Sequence, residues 1–521
     1  MRDLRALNLG PIIDLAVRNM YASLDERQDY MPFFTYRLFA TPPCIEHSYD
    51  SPHVVGRYLH SLSRIKRAFG RPINLDLVRG MQRRLYQSLR IGEENGLGLA
   101  WNEGRYQVAG AVTHNLREAI LGLLGLANLL GSEEAIDRAA RLVRDIARHM
   151  NGSGRFPVGL LTRSGWESFP AMDDATPAQS GRLVGSLLTY YRLTADGVAI
   201  DLAQQIARLN AATCFAEDGT WKAEAGTHVH SITGMITGLL DLGFFLGDGA
   251  LIRTAKAAFD HGLSPYRSSF GWVKEMRDAP FNRGEANNSG DILESAILLA
   301  RNLDNSYWDA AERILRNHLI ASQLTNPDWF HSDRTKADTD QWVYRDAAER
   351  AIGGFFFSSP ADCKSHDQDT MPINNDLVGG ATQALCEADE SAVEDNGREL
   401  RVNLLLSRDT PTCEIVSSIP EKGQVSLILR EPRAVWLRIP ASAPRSSVRV
   451  TIDGETRAAP WWVGPWIRLS EKPRRISARV EFELSGSRHQ ETITGETYSS
   501  EWLGDTVVSV KGPKKFFKEL Y

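Results

Sequence analysis

The chain has 521 residues, of which 42% are hydrophobic and 24% charged, a composition that is ordinary for a globular protein. It carries 60 lysines and arginines against 65 aspartates and glutamates, which gives a net charge of −5. This balance excludes a bulk electrostatic attraction to nucleic acids or anionic membranes. The length predicts one large domain with a smaller one.

The N-terminus has the pattern of an amphipathic helix and lacks the apolar core of a secretory signal. No stretch of the sequence approaches the ~20 apolar residues that span a bilayer. The five cysteines are scattered and form no Cys-x-x-Cys pair, so neither a disulfide framework nor a cysteine zinc site is expected. These features indicate a cytoplasmic protein, although a mature secreted form without its signal would have the same pattern.

Six helical units recur along the first three quarters of the chain, roughly 50–80 residues apart. Each has a first helix that is apolar on nearly all sides, a short turn with Gly, Asp or Asn, and a second helix with apolar residues at i, i+3 and i+4. The first helices of the units lie at 54–62, 122–131, 186–193, 238–246, 296–303 and 377–385.

A helix that is apolar all round must be buried all round, whereas an amphipathic helix faces water on one side. Six buried helices inside six half-exposed ones predict an (α/α)6 barrel. An open α-solenoid of the TPR or HEAT type is the alternative. Its repeats are shorter and its loops more uniform than those found here, which favours the closed barrel.

After about residue 395 the pattern changes to alternating apolar and polar residues between Pro, Gly and Ser turns. The tetrapeptide 452–455, Ile-Asp-Gly-Glu, indicates a hairpin. We therefore predict a mainly α protein with a barrel over residues 1–395 and a small antiparallel β-sandwich over residues 396–521, with a surface tail from Tyr498. Trp461, Trp462 and Trp466 are expected to pack against the barrel, with a sugar-stacking patch as the alternative.

Polar residues collect in the loops that precede the inner helices. In a closed barrel these loops meet at one end, where unpaired N–H groups and positive dipole ends favour oxygen-rich and anionic groups. Histidine is scarce, with 12 in the chain, yet seven lie in these loops. Four tryptophans accompany them: Trp101, Trp166, Trp272 and Trp329. Together these groups predict a carbohydrate site, although each Asp or Ser taken singly is equally well explained as a helix cap.

Hydrolysis of a sugar uses two carboxyl groups, one as general acid and the other as base or nucleophile. We predict that these come from Asp291 and Glu285 of the fifth unit, with Asp173 of the third unit and Asp369 before the sixth inner helix. An ion pair with an arginine is the alternative for Glu285. The predicted substrate-binding residues are His47, His114, Trp166, Asp174, His228, His230, Trp272, Glu275, Asn288, His366 and Asn375.

No cofactor and no metal ligand set are predicted. His228 and His230 are two residues apart, whereas a helical metal pair needs a spacing of three or four, and a zinc site with Glu224 and His114 is a minor alternative. The motifs of phosphate loops, dinucleotide-binding turns, nucleophile elbows and zincins are absent from the sequence.

Several stretches resemble the bacterial β-L-arabinofuranosidase family. They are 228–242 (His-Val-His-Ser-Ile-Thr-Gly-Met-Ile-Thr-Gly-Leu-Leu-Asp-Leu), the helix pair 291–301 and 308–317, and the strand block 400–406 with 435–441. The likeness covers roughly residues 225–470 and implies an (α/α)6 barrel followed by β-sandwich modules.

Members of that family look to use a cysteine nucleophile held on zinc, with Glu-x-Cys at the start of the fifth inner helix and Cys-Cys before the sixth. Here the first position is Ser289-Gly290-Asp291, and the second is the segment 369–376, with only Cys363 nearby. The resemblance therefore implies a relative that replaces thiolate chemistry by an oxygen-based acid/base pair, Asp291 with Asp369 or Glu285.

These observations predict a glycoside hydrolase that acts on the non-reducing end of an oligosaccharide. Two alternatives stay open: a polysaccharide lyase or unsaturated-uronyl hydrolase on the same barrel, and a non-catalytic carbohydrate-binding protein. The expected partner is an oligosaccharide, with no nucleic acid and no membrane, and the sequence leaves a homodimer open.

Overall fold

A computed structural model describes residues 7–104, 110–111, 113–150, 177–280, 282–326, 330–361 and 373–513. Its α-helices are α1 Gly10–Ala22, α2 His53–Phe69, α3 Leu75–Glu94, α4 Thr113–Leu130, α5 Glu133–His149, α6 Pro177–Gly181, α7 Leu183–Thr194, α8 Gly197–Cys214, α9 Val229–Leu246, α10 Gly249–Ala257, α11 Ala286–Asn302, α12 Tyr307–Ile314, α13 Ala347–Arg350 and α14 Asp376–Ala392.

Short strands lie between the helices, and longer ones follow the last helix. The strands before α14 are β1 Leu24–Asp25, β2 Met31–Pro32, β3 Thr35–Arg37, β4 Cys44–Glu46, β5 Asp50–Ser51, β6 Trp101–Gly104, β7 Gly110–Ala111, β8 Gly284–Glu285, β9 Trp342–Val343, β10 Phe357–Ser358 and β11 Ile373–Asn374. Those after it are β12 Val393–Asp395, β13 Glu399–Val402, β14 Arg408–Asp409, β15 Cys413–Ser417, β16 Gln424–Leu429, β17 Arg433–Arg438, β18 Arg449–Ile452, β19 Glu455–Thr456, β20 Trp461–Val463, β21 Trp466–Arg474, β22 Ser477–Glu481, β23 Gly486–Ile493, β24 Glu496–Leu503 and β25 Thr506–Lys511.

Six helices of the described ranges form a closed inner ring. Each of α2, α4, α7, α9, α11 and α14 packs on the next, and α14 packs back on α2. The amphipathic helices α1, α3, α5, α8, α10 and α12 pack outside this ring. The difference follows the sequence pattern, because α9 is buried along most of its length whereas α5 buries one stripe from Ala135 to Ile146. The (α/α)6 barrel is confirmed, and the open solenoid is excluded.

The two ends of the barrel differ in their connections. Each inner helix from α2 to α11 leads to its outer partner through a turn of two to five residues, such as 131–132 and 70–74. Glycines in left-handed conformation end α2 and α4, and Asn74, Ser132, Asp196 and Asp248 cap the next outer helices through their side chains. The connections that return to the inner helices are much longer, so the polar loops gather at the N-terminal end of the inner ring.

One helix in the described part of the chain, α9, is long and apolar enough to cross a membrane, with a mean hydropathy of 1.4. Within the barrel 67% of that stretch is buried against its neighbours. A core helix meets the same criteria of length and composition, and α9 is such a helix.

Glycines allow α2 and α4 to approach closely. A Cβ atom on Gly56 would collide with the backbone carbonyl of Glu118, and one on Gly122 would lie 2.7 Å from the Cα atom of Gly56. Because both obstacles are backbone atoms, a side-chain rotation cannot relieve them. The close contact of these two inner helices therefore requires glycine at both positions.

We expect Gly56→Ala to lower the free energy of unfolding by about 1–3 kcal/mol or more, because the added methyl group overpacks the α2–α4 contact. Gly197→Ala is the control, since Gly197 begins α8 with no atom within 4 Å of the position of its Cβ. Its stability should be unchanged or higher, because alanine is the better helix former. Urea unfolding followed by tryptophan fluorescence measures both. Equal stability of the two variants would contradict the close approach.

The C-terminal domain is a sandwich of two sheets around one apolar core. The strand orders are β12-β13-β17-β21-β20 and β14-β15-β16-β22-β18-β19. All pairs are antiparallel except β13 with β17. The hairpin predicted at 452–455 is present between β18 and β19, with Asp453 and Gly454 both at positive φ as its turn requires. Of the three tryptophans, Trp466 is buried against the barrel core, whereas Trp461 is 55% exposed.

The segment from Tyr498 was expected to be a surface tail, and this expectation was wrong. Residues 498–511 belong to a third sheet, β23-β24-β25, that packs against the loop before β8. The residues that bury this contact are Ile493, Tyr498, Trp502, Val507 and Val510 of the sheet with Phe270 and Trp272 of the loop. Buried and exposed residues alternate along β24 and β25, so one face of these strands packs against the loop before β8.

A buried ionic network joins the sandwich to the barrel. Arg438 of β17 is 1% exposed, contacts Asp309 and Glu312 of α12, and donates from Nε to the carbonyl of Asn403 at 2.5 Å. Although burial alone would raise the pKa of Glu312, Arg438 and Arg316 hold it below its usual range. Removing one partner of such a network leaves an uncompensated charge in the interface.

We expect Arg438→Met to lower the free energy of unfolding by about 3–5 kcal/mol, because the buried carboxylates of α12 lose their partner. Arg430→Met in the same domain is the matched control, since its pairs with Asp409 and Glu414 are exposed and such pairs contribute little. Thermal and urea unfolding compare the two. A loss no larger for Arg438→Met than for the control would show that the network does not hold the domains together.

Candidate active site

Six buried ionisable side chains, five from inner helices and one directly before α7, converge on the axis of the barrel. All six side chains are less than 9% exposed, although they stand on helices that are otherwise mostly apolar. They are Arg57 of α2, Glu118 of α4, Arg182 between α6 and α7, His230 of α9, Asp291 of α11 and Asp376 of α14. Buried charges need partners, and in a ring the partners are supplied by the other helices.

Glu118 is shared by three arginines. Its carboxylate lies 2.5 Å from a guanidinium nitrogen of Arg117, 3.2 Å from Nε of Arg57 and 3.6 Å from Arg182. Burial alone would raise the pKa of Glu118, but Arg117 and Arg57 lower it to about 2. Three guanidinium groups around one carboxylate leave this part of the axis with an excess of positive charge.

His230 links the arginines to Asp291. Its Nε2 lies 3.0 Å from a guanidinium nitrogen of Arg57 and 3.0 Å from one of Arg182. Because guanidinium groups only donate, Nε2 is the acceptor and the ring proton lies on Nδ1. Nδ1 donates to Oδ2 of Asp291 at 2.7 Å, and Thr233 donates to the same oxygen at 2.6 Å. Burial and the two arginines hold the pKa of His230 well below its usual range, so the imidazole is neutral.

Asp291 is the acid that this network affects most directly. Burial raises its pKa to about 7, although the hydrogen bond from Thr233 and the nearby arginines act in the opposite direction. Near neutral pH the carboxyl group is therefore close to half protonated.

Glu285 and Asp376 share one amide group. Nδ2 of Asn287 donates to Oε1 of Glu285 at 2.6 Å and to Oδ2 of Asp376 at 2.8 Å. Glu285 directly precedes α11, and Asp376 is the first residue of α14, so both stand where inner helices begin. The two bonded oxygen atoms therefore lie at most 5.4 Å apart (2.6 + 2.8 Å), within the short range of about 5–5.5 Å that retaining glycosidases use.

The two carboxyl groups differ in their proton affinity. Burial, together with the adjacent Glu285, raises the pKa of Asp376 to about 6, although Arg57 acts in the opposite direction. Burial also disfavours the charge of Glu285, but the nearby imidazole of His228 and the hydrogen bond from Asn287 hold its pKa below its usual range. At a pH near 5 the pair therefore consists of a carboxylate at Glu285 and a carboxylic acid at Asp376.

A third carboxyl group, that of Asp50, lies next to the Glu285–Asp376 pair. Asp50 of β5 is 2% exposed and lies 2.7 Å from Nδ1 of His53, the first residue of α2. Burial, with a smaller contribution from Asp376, raises its pKa well above the usual range. The N-terminal end of the ring thus concentrates three carboxyl groups within a buried setting.

The structure brings four of the predicted site residues together: Asp291, Glu285, His228 and His230. Nε2 of His228 lies 3.7 Å from Oε2 of Glu285, and Nδ1 of His228 bonds to Ser231 at 2.9 Å. The rings of His228 and His230 are 5.9 Å apart. Glu285 thus contacts His228. The ion pair with an arginine that was considered for Glu285 is made by Glu275, which pairs with Arg283.

Glu275 lies beside His228, and His47 packs against Phe33 and Tyr49. Glu275 pairs with Arg283 at 3.3 Å, and its carbonyl accepts from the amide of Val229 at 2.8 Å, next to His228. His47 follows β4 and bonds to the hydroxyl of Tyr49 at 3.0 Å. These contacts do not join either residue to the Glu285–Asp376 pair.

Three predicted substrate-binding residues are buried and hold the backbone. Trp272 is 0% exposed and donates to the carbonyl of Ser358 at 3.1 Å under the third sheet. The Nδ2 atom of Asn288 donates to Lys274, and that of Asn375 donates to Phe33, in both cases to a backbone carbonyl. The donor atoms of these three residues fix the loops around the site, and their direct contacts to a sugar stay predictions.

Several predictions lie outside the described residues. They are Asp173, Asp174, Trp166, His366 and Asp369, and also the side chain of His114, whose backbone belongs to α4. Their roles stay predictions.

Five residues of the site were not predicted from the sequence: Asp376, Asn287, Arg57, Glu118 and Arg182. A signal for the charged ones was present, because a charged residue in a helix that is buried all round must meet a partner on the barrel axis. Asp376 belongs to the loop sequence Asn374-Asn375-Asp376, in which Asn375 was chosen instead.

The described residues do not fit a zinc ion. Among them no group of three or more His, Cys, Asp and Glu side chains is arranged to hold a metal. On α9, the fourth inner helix, the acceptor nitrogen of His230 is taken by Arg57 and Arg182, whose charges repel a dication. Cys363 lies outside the described residues.

Comparisons with known proteins establish the fold. Neither a protein-family model nor a curated protein matches the sequence significantly. Among solved structures, a glycoside hydrolase family 127 β-arabinofuranosidase is similar over 87% of this chain and 74% of its own, with a TM-score of 0.60 and 14% identity. A family 127 β-L-arabinofuranosidase from Geobacillus stearothermophilus T6 is similar over 94% and 80%, with a TM-score of 0.56 and 13% identity.

A sugar epimerase from a ruminal bacterium is also similar, over 74% of this chain and 100% of its own, with a TM-score of 0.51 and 13% identity. The arabinofuranosidase structures confirm the fold that the family resemblance implied. At such low identity they say nothing finer about this chain.

We expect Asp291→Asn to change the pH dependence of stability. A pKa raised in the folded state means that folding favours the protonated acid, so this stabilisation is complete below about pH 4 and is lost as the pH rises through about 7. The free energy of unfolding of the wild type, relative to Asp291→Asn, should therefore fall by about 4 kcal/mol between pH 4 and pH 8. Urea unfolding across this range measures the difference.

Two threonines provide a matched pair for the same experiment. Thr233→Val removes the donor to the carboxylate and should move the loss of stability to higher pH. Thr237→Val removes a donor to the backbone carbonyl of Asp291 and should leave the titration in place. A difference between wild type and Asp291→Asn that does not vary with pH would show that Asp291 does not titrate as the structure indicates.

Proposed function

We propose that this protein is a glycoside hydrolase that acts on the non-reducing end of an oligosaccharide. Asp376 serves as the general acid, and Glu285 serves as the nucleophile or base. The observation that carries the proposal is the single amide of Asn287, which binds both carboxyl groups while their surroundings drive their pKa values apart. Pairs of carboxyl groups with opposed protonation states are what acid/base catalysis at a glycosidic bond requires.

The sequence analysis paired Glu285 with Asp291, and the proposal replaces Asp291 by Asp376. The carboxylate of Asp291 is held by His230 and Thr233, so it positions the imidazole between the arginines. Asp376 stands with Glu285 on the same amide and begins an inner helix at the end where the long loops gather.

Cleavage at the end of a sugar chain is favoured because side chains close the bottom of the candidate active site. The axis is crossed by connected side chains from Arg57 through His230 to Asp291, so a sugar chain that enters from the N-terminal end cannot pass through the ring. A closed floor suits a substrate that presents its terminal sugar. The short separation of the carboxyl groups supports retention of configuration at the anomeric carbon.

The similar solved structures support the choice of first substrates. Two of them are named β-arabinofuranosidases, and both share the barrel and the β-domain arrangement over most of their length. We therefore propose a β-L-arabinofuranosidase-like specificity as the finer hypothesis. The acid/base pair of this chain is oxygen-based, which separates the mechanism from a zinc-held thiolate.

We expect Glu285→Gln and Asp376→Asn each to lower kcat by about 10²–10⁴-fold on a responsive substrate, because each removes one proton-transfer or nucleophilic group. Chromogenic furanosides and pyranosides, with β-L-arabinofuranoside among them, identify that substrate. Asp389→Asn is the matched control, since Asp389 is a buried acid on the same helix that pairs with Arg408 at 3.2 Å and should leave kcat unchanged.

The pH profile of the same variants separates the two roles. Activity needs Asp376 protonated, so kcat/KM should fall as the pH rises above about 6, and Asp376→Asn should remove this limb. Full activity of both variants would overturn the assignment. An unsaturated product that absorbs in the ultraviolet would indicate a lyase instead, and saturable sugar binding without turnover would indicate a binding protein.

A further inference from the structure

The barrel contains a cavity at the end opposite the candidate active site. This rear chamber has a volume of about 940 Å³ and is lined by all six inner helices, from Arg117, Arg182 and Asp291 at its floor to Asn128 and Asn302 at its rim. The 11 residues between Arg117 and Asn128 on α4 give it a depth of about 16 Å. Small-molecule sites in proteins have volumes of about 300–1,000 Å³.

The floor of the rear chamber has an excess of positive charge. Arg117 and Arg182 both line it, and together with Arg57 they share Glu118. Arg182 is 3% exposed, and its Nε has no hydrogen-bond partner among the described residues. Burial and the neighbouring arginines lower the pKa of Arg182 to about 10, which reflects the same local excess.

Asp291 at the floor is close to half protonated near neutral pH and offsets only part of this charge, and three acids of the wall are paired or protonated. Asp241 forms a two-pronged pair with Arg192, with both distances at 2.7 Å. Arg64 binds Glu387 at 2.8 Å. Burial, with help from Glu387, raises the pKa of Glu294 to about 8, so this acid is protonated at neutral pH.

The wall between floor and rim is partly apolar. Leu121, Leu124 and Leu298 face the cavity together with the hydroxyls of Ser186 and Thr189. Such a mixture can pack the body of a small polar molecule while the floor holds a charged group. A buried guanidinium pair that lacks its share of carboxylate gains most from an anion that supplies the missing acceptor.

We propose that the rear chamber binds a small organic anion, such as a sugar acid or sugar phosphate, whose carboxylate or phosphate group pairs with Arg117 and Arg182. The anion supplies further acceptor atoms to Arg117 and Arg182, including one for the Nε of Arg182 that is unpartnered among the described residues, and its body contacts the leucines of the wall. The site is separate from the Glu285–Asp376 pair and does not depend on the reaction proposed there.

Titration calorimetry of the full chain at low ionic strength tests this proposal. The probes are glucuronate and glucose 6-phosphate, with uncharged glucose as the reference. We expect at least one anion to bind with a stoichiometry of one and glucose to bind at least tenfold more weakly. Arg117→Ala should weaken anion binding at least tenfold, Arg117→Lys less so, and Arg79→Ala, an exposed arginine of α3, should leave it unchanged.

Two filling variants locate the bound anion. Leu124→Trp and Thr189→Trp each occupy the rear chamber at mid-depth without touching the candidate active site, and circular dichroism reports whether each folds. A folded filling variant should lose anion binding. Absence of binding of both anions to the wild type, or binding that survives Arg117→Ala or a folded filling variant, would overturn the proposal. If neither filling variant folds, the comparison of Arg117→Ala with Arg79→Ala decides.

Discussion

The structure depends on the pairing of buried charges along the barrel axis. An unpaired charge in such a setting costs several kcal/mol, so Arg57, Glu118, Arg182 and His230 are tolerated only if the inner helices present them at the same depth. This requirement fixes how far each helix is displaced along the axis relative to its neighbours. The close approach of α2 and α4 at Gly56 serves the same arrangement, because it places Arg57 within reach of Glu118.

The network also distributes protons unevenly. The arginines keep Glu118 ionised and His230 neutral, and the desolvated acids beyond them, Asp291 and Asp376, have raised pKa values. Glu285 differs because His228 lies close to its carboxylate and Asn287 donates to it, and both favour its charged form. The two carboxyl groups that bind the amide of Asn287 therefore have pKa values shifted in opposite directions by their own surroundings. Acid/base chemistry at a glycosidic bond begins from such a difference.

The sequence predicted the barrel because helix periodicity is local, and six units with one buried helix each can bury their apolar faces together by closing a ring. It also predicted that Glu285, Asp291, His228 and His230 lie in one place. It did not show that Trp272 is buried, because loop composition does not tell which face of a loop points to solvent. Asp376 was not predicted, because its partner Asn287 lies on another helix and the two residues come together only after folding.

The axial network is also a partition. Contacts of Arg57 and His230 link the six side chains across the axis, and this layer forms a floor between the N-terminal end and the rear chamber. The floor presents different groups to each side, because Glu285 and Asp376 stand at the N-terminal ends of the helices while Arg117 and Arg182 line the rear chamber. The same cluster thus presents paired carboxyl groups to the N-terminal end of the barrel and guanidinium groups to the rear chamber. The excess charge follows from the cluster itself, in which arginines outnumber the ionised carboxylate that they share.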